Sequence, residues 1–426
     1  MRPIKVCKYS GVEVTISISP SAVLAPVPSR DTRNAGDSAA SLSPNRRYDT
    51  LDLWRGVACI FIVIYHTTSV SAAATLRSPV RHLGFASGVL AVTRWMSVGV
   101  PMFFVISGYC ISATAAVSKH TRRPISEYFR RRFRRIFPPY WCAILVQLAL
   151  IVLIDSLLMP GSLSRSAKPL ARASDLSGWQ WIGNLTLTEI WRWHVAGHEK
   201  LFLGQSWTLC YEEQFYAVTG LILLLCPRRF FAAALFVSGL VVLASHGAPR
   251  WGYSLDGLFL DGSWLMFAAG VTVYFAINRS RAGKPVLEYC VLGSLFAFSL
   301  RAHNSDLSAA VIFAILILIL HRWDRKTVEF KMATPLRVCG LMCYSLYLTH
   351  APIVRGLSQW FYWKGMTSAW QTLAITLPLS ASMALIAGWV FYWGVERHFV
   401  NSRGRISGPG KDSMPVISPV SVAGSA

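Results

Sequence analysis

Charge is scarce in this chain of 426 residues: only 15% are Asp, Glu, Lys or Arg, against roughly 25% in a typical soluble domain. Acid is scarcer still, since 20 Asp and Glu face 42 Lys and Arg, a formal net charge of +22. A cysteine framework is missing as well. The nine cysteines contain no CxxC pair, and Cys339 and Cys343, one helical turn apart, have no nearby His or Cys in the sequence. They read as small apolar side chains, and no metal site is expected. No uninterrupted apolar run opens the chain, because Pro20, Pro26 and Pro28 break the first one; a signal peptide is therefore not read there. No internal repeat is visible. What is abundant is hydrophobic residues, 53% of the total, which excludes a disordered chain. The bases are spread between apolar runs, so a nucleic-acid binder is not expected either.

A bilayer core about 30 Å thick takes about 20 apolar residues per helix. The runs predict an all-α, polytopic transmembrane bundle of about ten helices. The expected spans are 52–73, 89–117, 139–159, 207–226, 230–245, 255–277, 286–300, 307–321, 336–360 and 370–395. Trp95, Tyr140, Trp141, Trp207, Trp251, Trp360, Trp363 and Trp370 lie near span ends, where aromatic rings anchor at the interface. Basic residues cluster after every even-numbered span: Lys119 to Arg135, Arg228 and Arg229, Arg279 to Lys284, Arg322 to Arg337, and Arg397 to Lys411. Basic loops stay cytoplasmic, so both termini are expected there. Residues 1–48, rich in Ser, Pro and Ala, read as a disordered tail, residues 49–400 as the membrane domain, and residues 401–426 as a second flexible tail. The long connection 160–206, with Trp179, Trp181, Trp191 and Trp193, then faces outward. It suits either interface packing or contact with a sugar.

Ionisable residues inside a membrane are costly and usually functional. The first span holds Asp52, Arg55 and His66. Eleven residues are close to three full turns, so Arg55 and His66 share a face and stand ~16 Å apart. Taken singly, Arg55 also reads as a snorkelling boundary residue and His66 as a structural donor, but their shared face favours a functional pair. Asp52, one turn before Arg55, is placed to pair with it. Ser107 and Gly108 in the second span allow either close helix approach or a substrate-lining turn. The run EYFRRRFRRIFPPYW carries the cytoplasmic signal and suits lipid headgroups. Within it Arg132 and Arg135, three apart on one face of a helix expected to end at Pro138–Pro139, could grip a phosphate. Glu212 and Glu213 open the fourth span, where a salt bridge to the basic run competes with a catalytic role. His350, in CYSLYLTHAP, is either an interface histidine or a working one.

Together these landmarks resemble the acyltransferase-3 family: Arg, ten residues, then His; FFVISGY; RRRFRRIFPPYW; SWTLCYEEQFY; and CYSLYLTHAP, in order over residues 49–399. The resemblance implies an integral-membrane O-acyltransferase, expected in the bacterial inner (plasma) membrane. Such an enzyme moves an acyl group, commonly acetyl, from cytoplasmic acyl-CoA to a hydroxyl of a glycan or other small acceptor. It further implies that His66 is catalytic, that Arg55 is its paired arginine, and that Arg132 and Arg135 contact acyl-CoA. Ser107, Gly108 and Glu212 match family motif positions, with Glu212 expected to orient His66 or the acceptor. The competing reading is a secondary transporter or flippase with an Arg–His–Glu relay. Three departures stand out. His398 follows Glu396–Arg397 where proline is common, and Tyr211 replaces a usually small residue, which is expected to narrow the cavity. No hydrolase-like segment follows the last span within these residues, so acceptor presentation is expected to fall to the membrane domain or a partner.

Overall fold

Lipid offers no water to satisfy a backbone N–H or C=O, so a spanning segment must close its hydrogen bonds internally, as a helix does. A computed structural model of the chain describes residues 50–75, 84–121, 124–153, 171–279, 285–324, 327 and 330–400. The expected tails at 1–48 and 401–426 lie outside the described residues, as does 154–170 of the long connection. Among the described residues every regular element is helical. In chain order they are α1 (Leu51–Thr75), α2 (Phe85–Thr93), α3 (Gly99–Thr121), α4 (Ile125–Val152), α5 (Gly178–Thr186), α6 (Glu189–Ala196) and α7 (Trp207–Leu225). There follow α8 (Phe230–Gly247), α9 (Ser263–Arg279), α10 (Val286–Arg301), α11 (Ser305–Leu320), α12 (Thr334–Leu341), α13 (Cys343–Trp363) and α14 (Leu377–Gly394).

Among the described residues six stretches are long and apolar enough to cross a membrane: Leu51–Val70, Phe85–Val117, Ile125–Val152, Pro227–Trp251, Ser305–Trp323 and Ala369–His398. Helices α7 and α13 have the length, at 19 and 21 residues, but not the hydropathy. Both carry polar side chains, Glu212 to Gln214 on one and His350 and Arg355 on the other. The helices that fall short in apolar character are thus those with ionisable groups to place.

Three boundaries differ from the expected ones. The basic run does not precede a helix break: α4 starts at Ile125 and continues through Pro138 and Pro139. Each proline deprives the carbonyl four residues earlier of its N–H partner. Those carbonyls belong to Arg134 and Arg135, two exposed residues. The span expected from Leu255 starts as α9 only at Ser263, after the turns around Gly257 and Gly262. The span expected at 336–360 is interrupted at Met342, which separates α12 from α13.

Two pairs of glycines set the closest crossings. A Cβ on Gly108 would stand 2.0 Å from the Phe267 carbonyl oxygen, and one on Gly270 would stand 1.9 Å from that of Val105. Helices α3 and α9 therefore meet backbone to backbone, as small residues permit between membrane helices. Gly56 and Gly340 do the same for α1 and α12, with hypothetical Cβ atoms 1.9 Å from the Leu336 oxygen and 1.6 Å from the Asp52 oxygen. Helix α1 also packs on α3, α13 and α14, while α9 and α11 lie against α3.

The connection after α4 is tied down over its described part. Tyr140 donates to the Asn184 carbonyl (2.9 Å), Gln147 to that of Phe202 (2.8 Å), and Gln205 to that of Leu348 on α13 (2.9 Å). Two of its tryptophans have close ring contacts. Trp181 lies 5.1 Å from the Phe202 ring, and the Arg192 guanidinium sits 3.6 Å from the Trp179 ring.

Candidate active site

Helical spacing gives α3 one polar face, Ser107, Cys110 and Thr114, at intervals of three and four. Each of these takes a charged residue from a different helix. Arg55 of α1 donates to the Cys110 sulfur at 3.0 Å while holding Asp52 at 2.7 Å. Arg132 of α4 lies 3.3 Å from the Thr114 hydroxyl and 3.4 Å from that of Tyr216, with its guanidinium 4.8 Å from the Tyr216 ring. Ser107 donates to Glu212 at 2.8 Å, and Tyr216, one turn on along α7, donates to the same carboxylate oxygen. A continuous chain results: Thr114, Arg132, Tyr216, Glu212, Ser107. Tyr216 and Thr114 are the members not singled out from the sequence. The one available signal was Tyr216 at four residues from Glu212, facing it on the helix.

Arg132 and Arg135 play different parts. Arg132 is half-buried in this chain, whereas Arg135 is exposed; both charges act on Tyr216. Arg135 also acts on Glu396, whose carboxylate accepts the Ser345 N–H at 2.9 Å and the Ser345 hydroxyl. Glu396 thus caps the first turn of α13, where a negative charge suits the exposed N–H groups. Removing it with Glu396→Ala leaves two buried donors unpaired, at about 1–3 kcal/mol. A drop in melting temperature of detergent-purified protein is the expected result, and an unchanged melting temperature would refute the cap. His398, in the place of the usual proline, offers its carbonyl to Arg134 at 3.4 Å.

Deeper along α1 stands His66, and the ring that faces it is His350 of α13, with centroids 5.2 Å apart. Cys59 and Cys343 meet one tier earlier, the Cys59 sulfur lying 3.7 Å from the Cys343 carbonyl oxygen. Both pairs are 284 residues apart, so α1 and α13 run parallel in constant register. His350 is buried, and its Nδ1 lies 2.8 Å and 3.0 Å from the carbonyl oxygens of Tyr347 and Leu346. Two acceptors at Nδ1 put a proton there and leave Nε2 as the lone-pair nitrogen of the neutral ring. That Nε2 is buried with no hydrogen-bond partner among the described residues. Glu212, expected to orient His66 or the acceptor, accepts hydrogen bonds from Ser107 and Tyr216 at the level of α3.

Gly108 is a packing residue by its contact with α9. Tyr211 points its hydroxyl at the turn preceding α9, donating to Asp261 and accepting the Gly257 N–H at 3.0 Å. No group of three or more His, Cys, Asp or Glu with metal-site geometry occurs among the described residues.

Two arginines on one polar face, a carboxylate held by two hydroxyls, and two facing imidazoles can together hold an anion, position a hydroxyl and move a proton. Known proteins of similar sequence include named acetyltransferases. O-acetyltransferase OatA of Staphylococcus aureus is 24% identical over 377 residues, covering 79% of this chain and 55% of the relative. Peptidoglycan O-acetyltransferase OatA of Listeria monocytogenes is 23% identical over 353 residues, covering 73% and 50%. The chain therefore spans about half the length of these relatives. No solved structure matches it significantly. Residues 48–393 match the acyltransferase domain of the acyltransferase-3 type, and with its apolar helices the chain is an integral membrane protein belonging to that family.

Proposed function

We propose that this chain transfers an acyl group, most simply acetyl, from acyl-CoA to a hydroxyl of a cell-envelope glycan or similar acceptor. The observation that carries the reading is the single polar face of α3, which gathers Arg55, Arg132 and Glu212 on the approach to the facing pair His66 and His350. In this reading about ten helices span the membrane, α7, α9, α10 and α13 among them, with residues 49–400 as the catalytic unit. The alternation of basic loops puts both termini, Arg55 and Arg132 on the cytoplasmic side.

The phosphates of coenzyme A then meet Arg55, Arg132 and Arg135, whose forked donors suit phosphate oxygens. The pantetheine arm, extended and little charged, runs inward along α1 toward His66. There the acceptor hydroxyl gives its proton to His66 as its oxygen attacks the thioester carbonyl. The new C–O bond forms, the C–S bond breaks, and the departing thiolate of coenzyme A takes the proton from His66. His350 fixes the ring against which His66 works, while the chain Arg132–Tyr216–Glu212–Ser107 holds the donor side in place.

Incubating detergent-purified protein with radiolabelled acetyl-CoA and cell-envelope extract tests the reading. Labelled glycan is the expected product, whereas ion-coupled uptake in liposomes without acyl turnover would put a transporter in its place. A second result is expected of the basic side. The double change Arg132→Ala and Arg135→Ala should weaken acetyl-CoA binding by about 10²-fold, the loss of two charge-assisted contacts, while acceptor binding changes little. An equal loss of both would assign the two arginines to folding.

A further inference from the structure

Helix α13 passes three levels of the molecule. Cys343 lies within the fields of Arg55 and Arg135; His350, ~10 Å further along the axis, faces His66; and Arg355 lies ~7 Å beyond that. Five residues turn the helix by about 140°, so Arg355 leaves the α1 side. It shares the face of Tyr347, at eight residues' distance, whose hydroxyl is held by the Gln205 carbonyl and by Thr208 at 2.8 Å. Accordingly, the Arg355 guanidinium lies over Gly204. A Cβ on that glycine would stand 3.2 Å from one terminal nitrogen and 3.7 Å from the other. The hydrogen of Gly204 therefore leaves the guanidinium just enough room.

Arg355 is half-buried, yet it forms no hydrogen bond or ion pair among the described residues. The two arginines on the polar face of α3 differ in this: Arg55 has Asp52, and Arg132 has Tyr216 and Thr114. A partly desolvated cation without a counter-ion is costly in such a setting. It is also close enough for its charge to act on His350. An anion that relieved it would lie beyond the histidines as seen from the donor arginines, on the side of the 171–206 connection. The donor's phosphates are already provided for at the other end.

We propose that Arg355 is an acceptor-binding residue, and that the acceptor carries an oxyanion, a carboxylate or a phosphate, near the hydroxyl that is acylated. This inference rests on the acyl-transfer reading above and adds the charge class of the acceptor. The guanidinium fork would bind the anion and hold the acceptor so that its hydroxyl reaches His66 from the side opposite the thioester.

The test reads binding, so that it stands apart from catalysis. Full-length protein in detergent is titrated with a galacturonate trisaccharide, maltotriose phosphate and neutral maltotriose, as wild type, Arg355→Gln and Arg355→Lys. Wild type is expected to bind one or both charged sugars roughly ten-fold or more tightly than maltotriose. A preference for the galacturonate identifies a carboxylate, and one for the phosphate ester identifies a phosphate. Arg355→Gln should lose the preference and Arg355→Lys regain part of it, with acetyl-CoA affinity unchanged within about two-fold. Equal binding of the three sugars by wild type, or binding of none, overturns the proposal without any variant having to fold. So does a preference that survives in Arg355→Gln. Absence of acyl turnover in wild type would instead overturn the acyl-transfer reading, while the sugar-binding preference would still be measured.

Discussion

His66→Ala is expected to abolish acyl transfer while leaving a monodisperse protein that still binds acetyl-CoA. Removing a general base typically lowers a rate by about 10²–10⁴-fold, and here the loss should reach the detection limit of the radiolabel assay. His66 stands ~16 Å along the helix from Arg55, so the donor's charged end is held by residues that the substitution does not touch. A half-buried position on α1 also makes His66 a tolerable site for a small side chain. Full activity in this variant would sink the mechanism. His350→Ala sharpens the test, because the two rings face each other at 5.2 Å and either could in principle be the base. With His66 as base, His350→Ala should lose about 10–10²-fold, the range of a lost positioning contact, and keep its pH–rate profile. The reverse ranking would exchange their roles. Rapid quenching with labelled acetyl-CoA and no acceptor separates direct transfer from a covalent acyl-imidazole: direct transfer leaves the protein unlabelled.

Gly108→Val is expected to prevent accumulation of folded protein altogether. The first added carbon would already stand 2.0 Å from the Phe267 carbonyl oxygen and 3.0 Å from its carbon. Backbone in a packed helix has no rotamer to yield, so α3 and α9 must separate. Overpacking typically costs about 1–3 kcal/mol, and a clash with main chain belongs at or beyond the upper end. The separation would also forfeit the matching contact at Gly270 and move Ser107, Cys110 and Thr114 together, since they share the helix. Gly239→Val on α8 is the control, because a Cβ there meets nothing within 4 Å. It should purify as wild type does. Equal recovery of the two variants, judged by size-exclusion profile and melting temperature, would show that α3 and α9 are not in backbone contact.

Much of the site could be read along single helices. Arg55 and His66 share a face because eleven residues are three turns, and Asp52 pairs with Arg55 because three residues are nearly one. The ten apolar runs each contain a helix, since apolar periodicity and length are local properties. Pro138 and Pro139 do not end the helix as their chemistry suggests, since α4 continues through both. Gly108 could be weighed but not decided from its neighbours in the chain. Its purpose lies at Phe267, more than a hundred residues away. Arg355 gave no signal at all, because an isolated arginine in a helix looks the same whether it is paired or waiting.

Composition, apolar periodicity and ordered motifs are enough to identify a helical membrane protein of the acyltransferase-3 type and to say which residues occupy one face of each helix. Tertiary structure decided which faces meet: His66 with His350, Ser107 with Glu212, Arg132 with Thr114 and Tyr216, and Arg355 with Gly204. Helical periodicity sets the direction of a side chain around its own axis and carries no information about the neighbour across from it. That neighbour is chosen by where glycines let two backbones close and by the shared register of α1 and α13. Both are properties of pairs of segments between one hundred and three hundred residues apart, which only the assembled bundle brings together.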